Sequence, residues 1–457
     1  MKKIALLLLI AVILAFGACG AADKESDIKE ESESVISTAD EAADSDVLRI
    51  CLDIDHGVPE ALTGGTVTYE LENAFAQALK LENVEFEYIP KYGAERDGMI
   101  DRIRVELMSG DGPDVFIIKC HDLANREMSE PLFTMPEKVM NSGYFLPLDK
   151  YIENETEYTD WEKLTQPVLE AGKNEEGQQI IPLTYTLPVL YFKRTNGVTV
   201  DKTMKLDEML SDAELSNAAK QLLSQSYDYS AYGDDAARYS GSNELCYIFG
   251  DAADYDDEEL LITEEELNAE LDRIFKITDE LYESGSYMYG VKTGLAPLMM
   301  MDAPQQPDYE EGMEYDLISL CSVDGGYSAA VMSYAAVNRN TDMPESAYAV
   351  VDFLLRRDAQ QKYMLYTEVL HRGAFPINEE LFSTDYPAGK LKTALSENAF
   401  SEVCELRSAI TNVHFADEID SSLSRMIFQY TSALQSGEDA EAVVANTYRE
   451  LQQLLGE

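Results

Sequence analysis

From Val47 onward the apolar positions switch repeatedly between two periods. VLRICLDID is a compact apolar run, and HGVPEALTGG carries the glycines and proline of a loop. VTYELENAFAQALKLEN then sets Leu71, Phe75 and Leu79 four apart, which predicts one face of a helix. VEFEYIPKY alternates like a strand, AERDGMIDRIRVELMSG returns to the helical period, and DVFIIKC is a short continuous apolar strand. Strand, helix, strand, helix, strand predicts a parallel sheet with helices on its faces. Within it SGDGPDVFII needs Gly110 or Gly112 at positive φ to end a helix, and Pro113 to prevent its continuation. Ligands of such sheets sit beyond the carboxyl ends of the strands. That rule selects Asp55 and His56 after the first strand, and Lys119, His121 and Asp122 after the third.

The same pattern reads differently at the amino end. Two lysines precede an unbroken run of apolar or small residues from Ile4 to Ala18. As a helix at ~1.5 Å per residue the run is about 22 Å long, against a hydrocarbon core of roughly 30 Å, so it reads as an export signal and not a span. Phe16, Gly17, Ala18 and Cys19 resemble a bacterial lipobox, with phenylalanine where leucine is usual. That resemblance implies a lipoprotein signal peptide over 1–18, diacylglycerol on the Cys19 thiol, and a mature protein anchored to the outer face of the cell membrane. Residues 20–46 carry ten acidic and two basic side chains and few large apolar ones, so 19–46 is expected to be a disordered acidic linker.

Charge removes whole classes of partner. The chain of 457 residues holds 86 Asp and Glu against 35 Lys and Arg, a formal charge of −51. Nucleic acid and anionic lipid both need a basic face, so neither is an expected partner. Cys51, Cys120, Cys246, Cys321 and Cys404 are odd in number and widely separated, which fits small buried hydrophobes better than a disulfide framework or a metal site. No cofactor and no metal is implied.

Farther along, YFLPLDKYI is followed by GQQIIPLTYTLPVLYFKR. Taken with the glycine-bounded helix leading into GPDVF, this order resembles the family 1 extracellular solute-binding proteins, the relatives of maltose-binding protein. GGYSAAVMSYAAVNRNTDMPESAYAVVDFLLRRDAQQKYM resembles the strand, loop and long helix of that family, and HRGAFPINEELF its late proline crossing. The resemblance implies an α/β fold of two lobes, each a mostly parallel sheet flanked by helices. The chain would cross between lobes near Pro182 to Pro188, Cys321 to Gly326 and Gly373 to Pro376. Lobe 1 would then hold 47–184 and 326–375, and lobe 2 would hold 185–325 and 376–457. Phe192, Lys193 and Arg194 stand where relatives often have Tyr-Asn-Lys, and Trp161, the one tryptophan, lies in YTDWEKL, where it reads as a packing residue.

Several motifs invite chemistry. Cys120, His121 and Asp122 place a nucleophile, a base and an acid in a row, but consecutive residues of a strand point to opposite faces and do not form a relay. DYDDEELLITEE sets Asp254, Asp256, Glu258 and Glu265 in a calcium-loop frame, with Glu259 where the sharp turn demands glycine. In ITEEELNAELDRIFKITDELYESG, Thr263 and Glu266 form a capping-box pattern. The surrounding middle of the chain, 197–295, reads as lobe surface. The family resemblance implies that Tyr185, Tyr327 and Asp302 line the cleft, where a tyrosine stacks on a sugar and a carboxylate accepts its hydroxyls. Arg372 would pair an anionic ligand or brace the hinge.

The expected function is therefore capture of a small ligand, a sugar or oligosaccharide, and its delivery by a monomer to the permease subunits of an ABC importer, with no bond made or broken. Two other classes compete: a two-lobe sensor or interaction lipoprotein that feeds no transporter, and a surface hydrolase with paired carboxylates. With 86 acidic residues a close pair arises by chance, so composition gives the hydrolase no support.

Overall fold

A computed structural model of the protein describes residues 47–54, 75, 83–90, 93–121, 130–154, 159–193, 246, 249–272, 291–293, 315–319, 326–360, 374–382 and 404–456. The first unit follows the sequence pattern: β1 (Leu48–Asp53), β2 (Val84–Tyr88), α1 (Ala94–Met108) and β3 (Val115–Lys119). β1 pairs parallel with both β2 and β3. On α1 the buried Arg96, Ile100, Ile103 and Leu107 recur at three to four residues, the helical stripe that covers the sheet. Gly110 and Gly112 both take positive φ, at 85° and 106°, so the turn uses the two glycines together. The Asn338 side-chain amide donates to the Asp111 and Pro113 carbonyls at 3.1 and 3.0 Å and fixes the turn against the sheet.

Three short helices follow, α2 (Pro136–Asn141), α3 (Asp149–Asn154) and α4 (Gln166–Glu170), then the small hairpin β4 (Lys173–Asn174) and β5 (Gly177–Gln178). Trp161 lies in a 3-10 turn, partly buried against the core, a packing role. β6 (Ile180–Thr186) is buried along its whole length, and Leu187 alone separates it from β7 (Pro188–Lys193). The two strands belong to different sheets.

Beyond β7 come the hairpin β8 (Ala253–Asp254) and β9 (Glu259–Leu260), then β10 (Val291–Thr293), β11 (Tyr315–Ser319) and β12 (Ser328–Val337). The chain continues through α5 (Pro344–Leu355), β13 (Phe375–Pro376), β14 (Asn412–Phe415), α6 (Glu418–Ser436) and α7 (Ala440–Leu455). The first sheet has seven strands in the order β13-β6-β12-β3-β1-β2, with β14 also on β12. β12 runs antiparallel to β3 and β6 and parallel to β14. The second sheet is β10-β7-β11, and its described pairings are antiparallel where mostly parallel ones were expected. Periodicity identifies a strand but not the direction of the neighbour it meets.

Two other features were not expected. Cys246, Phe249, Ile262, Leu267 and Leu271 are buried, so this part of the middle region contributes to the core as well as to the surface. The expected boundary separates 326–375 from 376–457, yet β14 is hydrogen-bonded to β12 across that line. Cys51, Cys120 and Cys246 are buried, and Cys404 is partly so.

Candidate functional site

The candidate site grows from the way β12 is edged. Its residues Ser333 to Val337 pair with β3, and Ser328 to Val331 pair with β14 on the same side. β3 and β14 therefore lie end to end and point their carboxyl ends at each other. They meet where the His121 amide donates to the Ala416 carbonyl at 3.0 Å and the Cys120 amide to the Met332 carbonyl at 2.8 Å. α6 starts two residues later. Its N-cap is Asp417, whose Oδ1 accepts from the Ile419 and Asp420 amides at 2.8 and 3.4 Å, while Asp420 Oδ2 accepts from the Asp417 amide at 3.3 Å.

His121 is the sequence-selected residue closest to this junction. Its ring is largely buried, and Nε2 lies 3.5 Å from Glu418 Oε2 without making a hydrogen bond. Burial pushes the imidazole down to about 4, so His121 is neutral at neutral pH and the Glu418 contact is not an ion pair there. Tyr327 begins the same edge of β12. Its amide donates to Thr411 Oγ1 at 2.8 Å, and its carbonyl accepts from the Thr411 amide at 3.0 Å. Its side chain is half-buried and packs against the core.

Tyr185 is placed differently from the expectation. It is fully buried, stacked on Phe375 with ring centroids 5.6 Å apart, and its hydroxyl accepts from Arg407 Nε at 2.5 Å. Arg407 also donates to Thr165 Oγ1 at 3.0 Å. Phe375 and the guanidinium occupy the surfaces that a sugar would stack on, so Tyr185 serves the packing below the sheet edge. Asp55, His56, Asp122, Asp302 and Arg372 lie outside the described residues, as does Cys19. The structure thus sets His121 at the β3–β14 junction, Tyr327 just ahead of β12 beside Thr411, and Tyr185 in β6 on the other side of β12, opposite Val331.

The carboxyl end of β1 is pinned by a group that the sequence reading passed over. Asp53 is buried and takes two hydrogen bonds from Arg96, at 2.7 and 2.9 Å, and a third from the Leu132 amide at 2.7 Å. Arg96 directs its other donors to the Pro90 and Glu130 carbonyls. This pair is fully hydrogen-bonded, the condition under which a buried ion pair is tolerated. At the other end of the edge His414 Nε2 lies 3.2 Å from Asp420 Oδ2, and the Tyr255 hydroxyl donates to Asp417 Oδ2. An Asp-x-x-Asp pattern ahead of an amphipathic run, Asp417 to Asp420, was the sequence signal for this second cluster. Among the described residues no group of acidic, histidine or cysteine side chains could hold a metal ion.

Comparison with solved structures places the fold. An extracellular solute-binding protein family 1 member from Alicyclobacillus acidocaldarius aligns over 91% of this chain and 100% of its own, with a TM-score of 0.51 and 14% identity. A periplasmic oligogalacturonide-binding protein from Yersinia enterocolitica aligns over 90% of this chain and 98% of its own, with a TM-score of 0.54 and 14% identity. The chain has the two-lobe α/β fold of these solute-binding proteins. An ABC substrate-binding protein from Listeria monocytogenes, solved with cycloalternan, is similar over 90% of this chain and 98% of its own, at a TM-score of 0.51 and 13% identity. No protein-family model matches the sequence, and no curated protein matches it. The resemblance read from the sequence is thus matched at the level of fold. Among the described residues no helix is long and apolar enough to cross a membrane.

Proposed function

We propose that this protein is a lipid-anchored solute-binding protein that captures a sugar or oligosaccharide between two lobes and hands it, as a monomer, to an ABC importer. The observation that carries the reading is the likeness over nine-tenths of the chain to binding proteins whose described ligands are an oligogalacturonide and cycloalternan. The change of sheet at Leu187 supports it, because a single residue between two sheets is a natural pivot. Lobe 1 is built on the seven-stranded sheet and lobe 2 on β10-β7-β11. The ligand sits against the carboxyl edge of the first sheet, near His121, whose Nε2 is shielded beside Glu418 without a hydrogen bond, and near the half-buried Tyr327, joined by Asp55, His56, Asp122, Asp302 and Arg372. Contacts made by both lobes exist only in the closed form, so ligand shifts the population toward closure.

A thermal-shift screen with monosaccharides, oligosaccharides, peptides and polyamines tests this. A cognate sugar at a hundred times its dissociation constant adds about 2.7 kcal/mol of stability. A chain that responds to peptides or polyamines and to no sugar overturns the ligand class. Tethering is tested separately: Cys19→Ser is expected to move the protein from the membrane to the soluble fraction, and equal membrane association of variant and wild type overturns the anchor.

A further inference from the structure

Three elements meet around the amino end of α6, and almost every side chain they contribute there can gain or lose a proton. From α2 come Glu137 and Asn141; from the β8–β9 hairpin come Asp251, Asp254, Tyr255 and Asp256; from β14 and α6 come His414, Asp417 and Asp420. Asp417, Asp420 and His414 are 3, 2 and 7% exposed, so the centre of the cluster is buried, with Glu137, Asp251, Asp254 and Tyr255 partly buried around it and Asn141 and Asp256 exposed at its rim. The hairpin is tied to the cluster by the Tyr255 hydroxyl on Asp417, and to α2 by Asn141 Nδ2 on Asp256 Oδ1 at 2.7 Å. α2 is in turn fixed to the end of α7 by Lys138 Nζ, which donates to the Leu455 carbonyl at 2.9 Å. Inside the hairpin Asp254 Oδ1 accepts from the Asp256 and Asp257 amides at 3.0 Å each, so that carboxylate holds its own turn.

We propose that this corner is a proton-operated latch, which holds the β8–β9 hairpin against the amino end of α6 while Glu137, Asp417 and His414 keep their protons, and frees the hairpin when they are lost. The inference stands apart from the proposed ligand and importer.

The direction follows from what faces each group. Burial, with Asp420 beside it, pushes the Asp417 carboxyl up to about 8, while Tyr255 and His414 oppose the rise. Burial and the neighbouring Asp251, Asp256 and Asp254 push Glu137 up to about 7, with His414 acting against them. Burial lowers the His414 imidazole, but Asp420, Asp251 and Asp417 outweigh it and raise it to about 9. All three groups hold protons more tightly when folded than when unfolded. The stability each contributes is fully present below its unfolded value and is lost as pH rises through the folded one, a window from about 4 to 9. Glu418, paired with Arg425 at 3.2 Å, is pushed up by burial in the same sense. His121 has the opposite sign: lowered to about 4, it contributes stability above its ordinary value that is lost as pH falls. The test therefore belongs at pH 6 and above.

Hydrogen exchange of the purified protein, followed by mass spectrometry at pH 6, 7.5 and 9 and corrected for intrinsic chemical rates, reads the latch directly. Protection of a peptide covering 250–262 is expected to fall at least about tenfold from pH 6 to 9, because a proton bound tenfold more tightly in the closed form makes opening tenfold rarer. Peptides from β1 and β3, which exchange through global unfolding, are expected to remain more protected than 250–262 at every pH. Tyr255→Phe is expected to lower protection of the 250–262 peptide already at pH 6. Asp417→Asn with Glu137→Gln, which removes two of the titrating groups, is expected to flatten the pH dependence. Should Asp417→Asn fail to fold, as unprotected β1 and β3 peptides would report, Glu137→Gln alone serves: its side chain is half-buried, it leaves the cap intact, and it is expected to remove the part of the dependence between pH 6 and 7.5. Unchanged protection of 250–262 across the range in wild type overturns the latch. So does an undiminished pH dependence in the folded Glu137→Gln protein.

Discussion

Two corners of the first sheet bury carboxylates in different ways. At the end of β1, Asp53 meets a guanidinium, and every oxygen and nitrogen of the pair that faces inward has a hydrogen-bond partner. At the amino end of α6, Asp417 and Asp420 meet backbone amides, a tyrosine hydroxyl and an imidazole. Arginine keeps its charge at any pH a folded protein meets, so the first corner is a fixed pin. Histidine and the Asp417 carboxyl both exchange protons within the range a folded protein meets, while burial holds the Tyr255 hydroxyl well above the ordinary tyrosine value, so the second corner has several charge states. Burying an acid is thus compatible with either rigidity or titration, and the partner decides which.

The largest test of that contrast is at the pin. Arg96→Met leaves Asp53 buried without its cation and is expected to cost about 3–5 kcal/mol in a urea titration, while Asp53→Leu combined with Arg96→Met recovers much of the loss. A loss below about 1 kcal/mol, the range of exposed pairs, would show that the pair is not the fixed point described here.

Next comes the packing beneath the edge. Tyr185→Phe removes the hydroxyl that accepts from the buried Arg407, and about 1.5–3 kcal/mol is expected, the range for hydrogen bonds to charged groups. If Tyr185 instead served the ligand, the substitution would weaken sugar binding and leave unfolding unchanged.

The smallest effect is expected at the titrating corner near neutrality. Asp417→Asn keeps a competent N-cap, so at pH 6 it changes stability by no more than a few tenths of a kcal/mol beyond the Tyr255 contact. Its signature is the slope. The melting temperature of Asp417→Asn relative to wild type is expected to rise steadily from pH 6 to 9, because wild type loses the contribution of a proton that the variant does not need. A difference that stays level across this range would mean that the two corners behave alike.

How much of this was legible beforehand varies residue by residue. The β1, β2, β3 and α1 boundaries, the glycine turn at 110–112 and the Thr263–Glu266 cap follow from side chains that act within a few positions of themselves. In the structure the Glu266 carboxylate accepts from the Thr263 amide at 2.8 Å and hydroxyl at 2.7 Å, and the Glu266 amide donates to Thr263 Oγ1 at 3.2 Å. His121 was selected by the rule about carboxyl strand ends and Tyr327 by the family resemblance, both of which need only the order of the elements; the structure places them at the β3–β14 junction and just ahead of β12. The place of Tyr185 was not legible, because nothing local reveals that Arg407, 222 residues away, will take its hydroxyl.

The sequence by itself determined where β1, β2, α1, β3 and the glycine turn between the last two begin and end, and the order in which they come; the helix expected through Leu71, Phe75 and Leu79 lies, but for Phe75, outside the described residues. Tertiary structure alone decided that β3 and β14 meet end to end on β12, that Tyr185 lies in the core, and that Asp53 finds an arginine while Asp417 finds a tyrosine. Periodicity, capping and turn chemistry are short-range and are fixed by neighbours in the chain. Strand adjacency and the pairing of buried charges depend on which distant segments exclude water together, and that is settled only when the whole sheet is assembled.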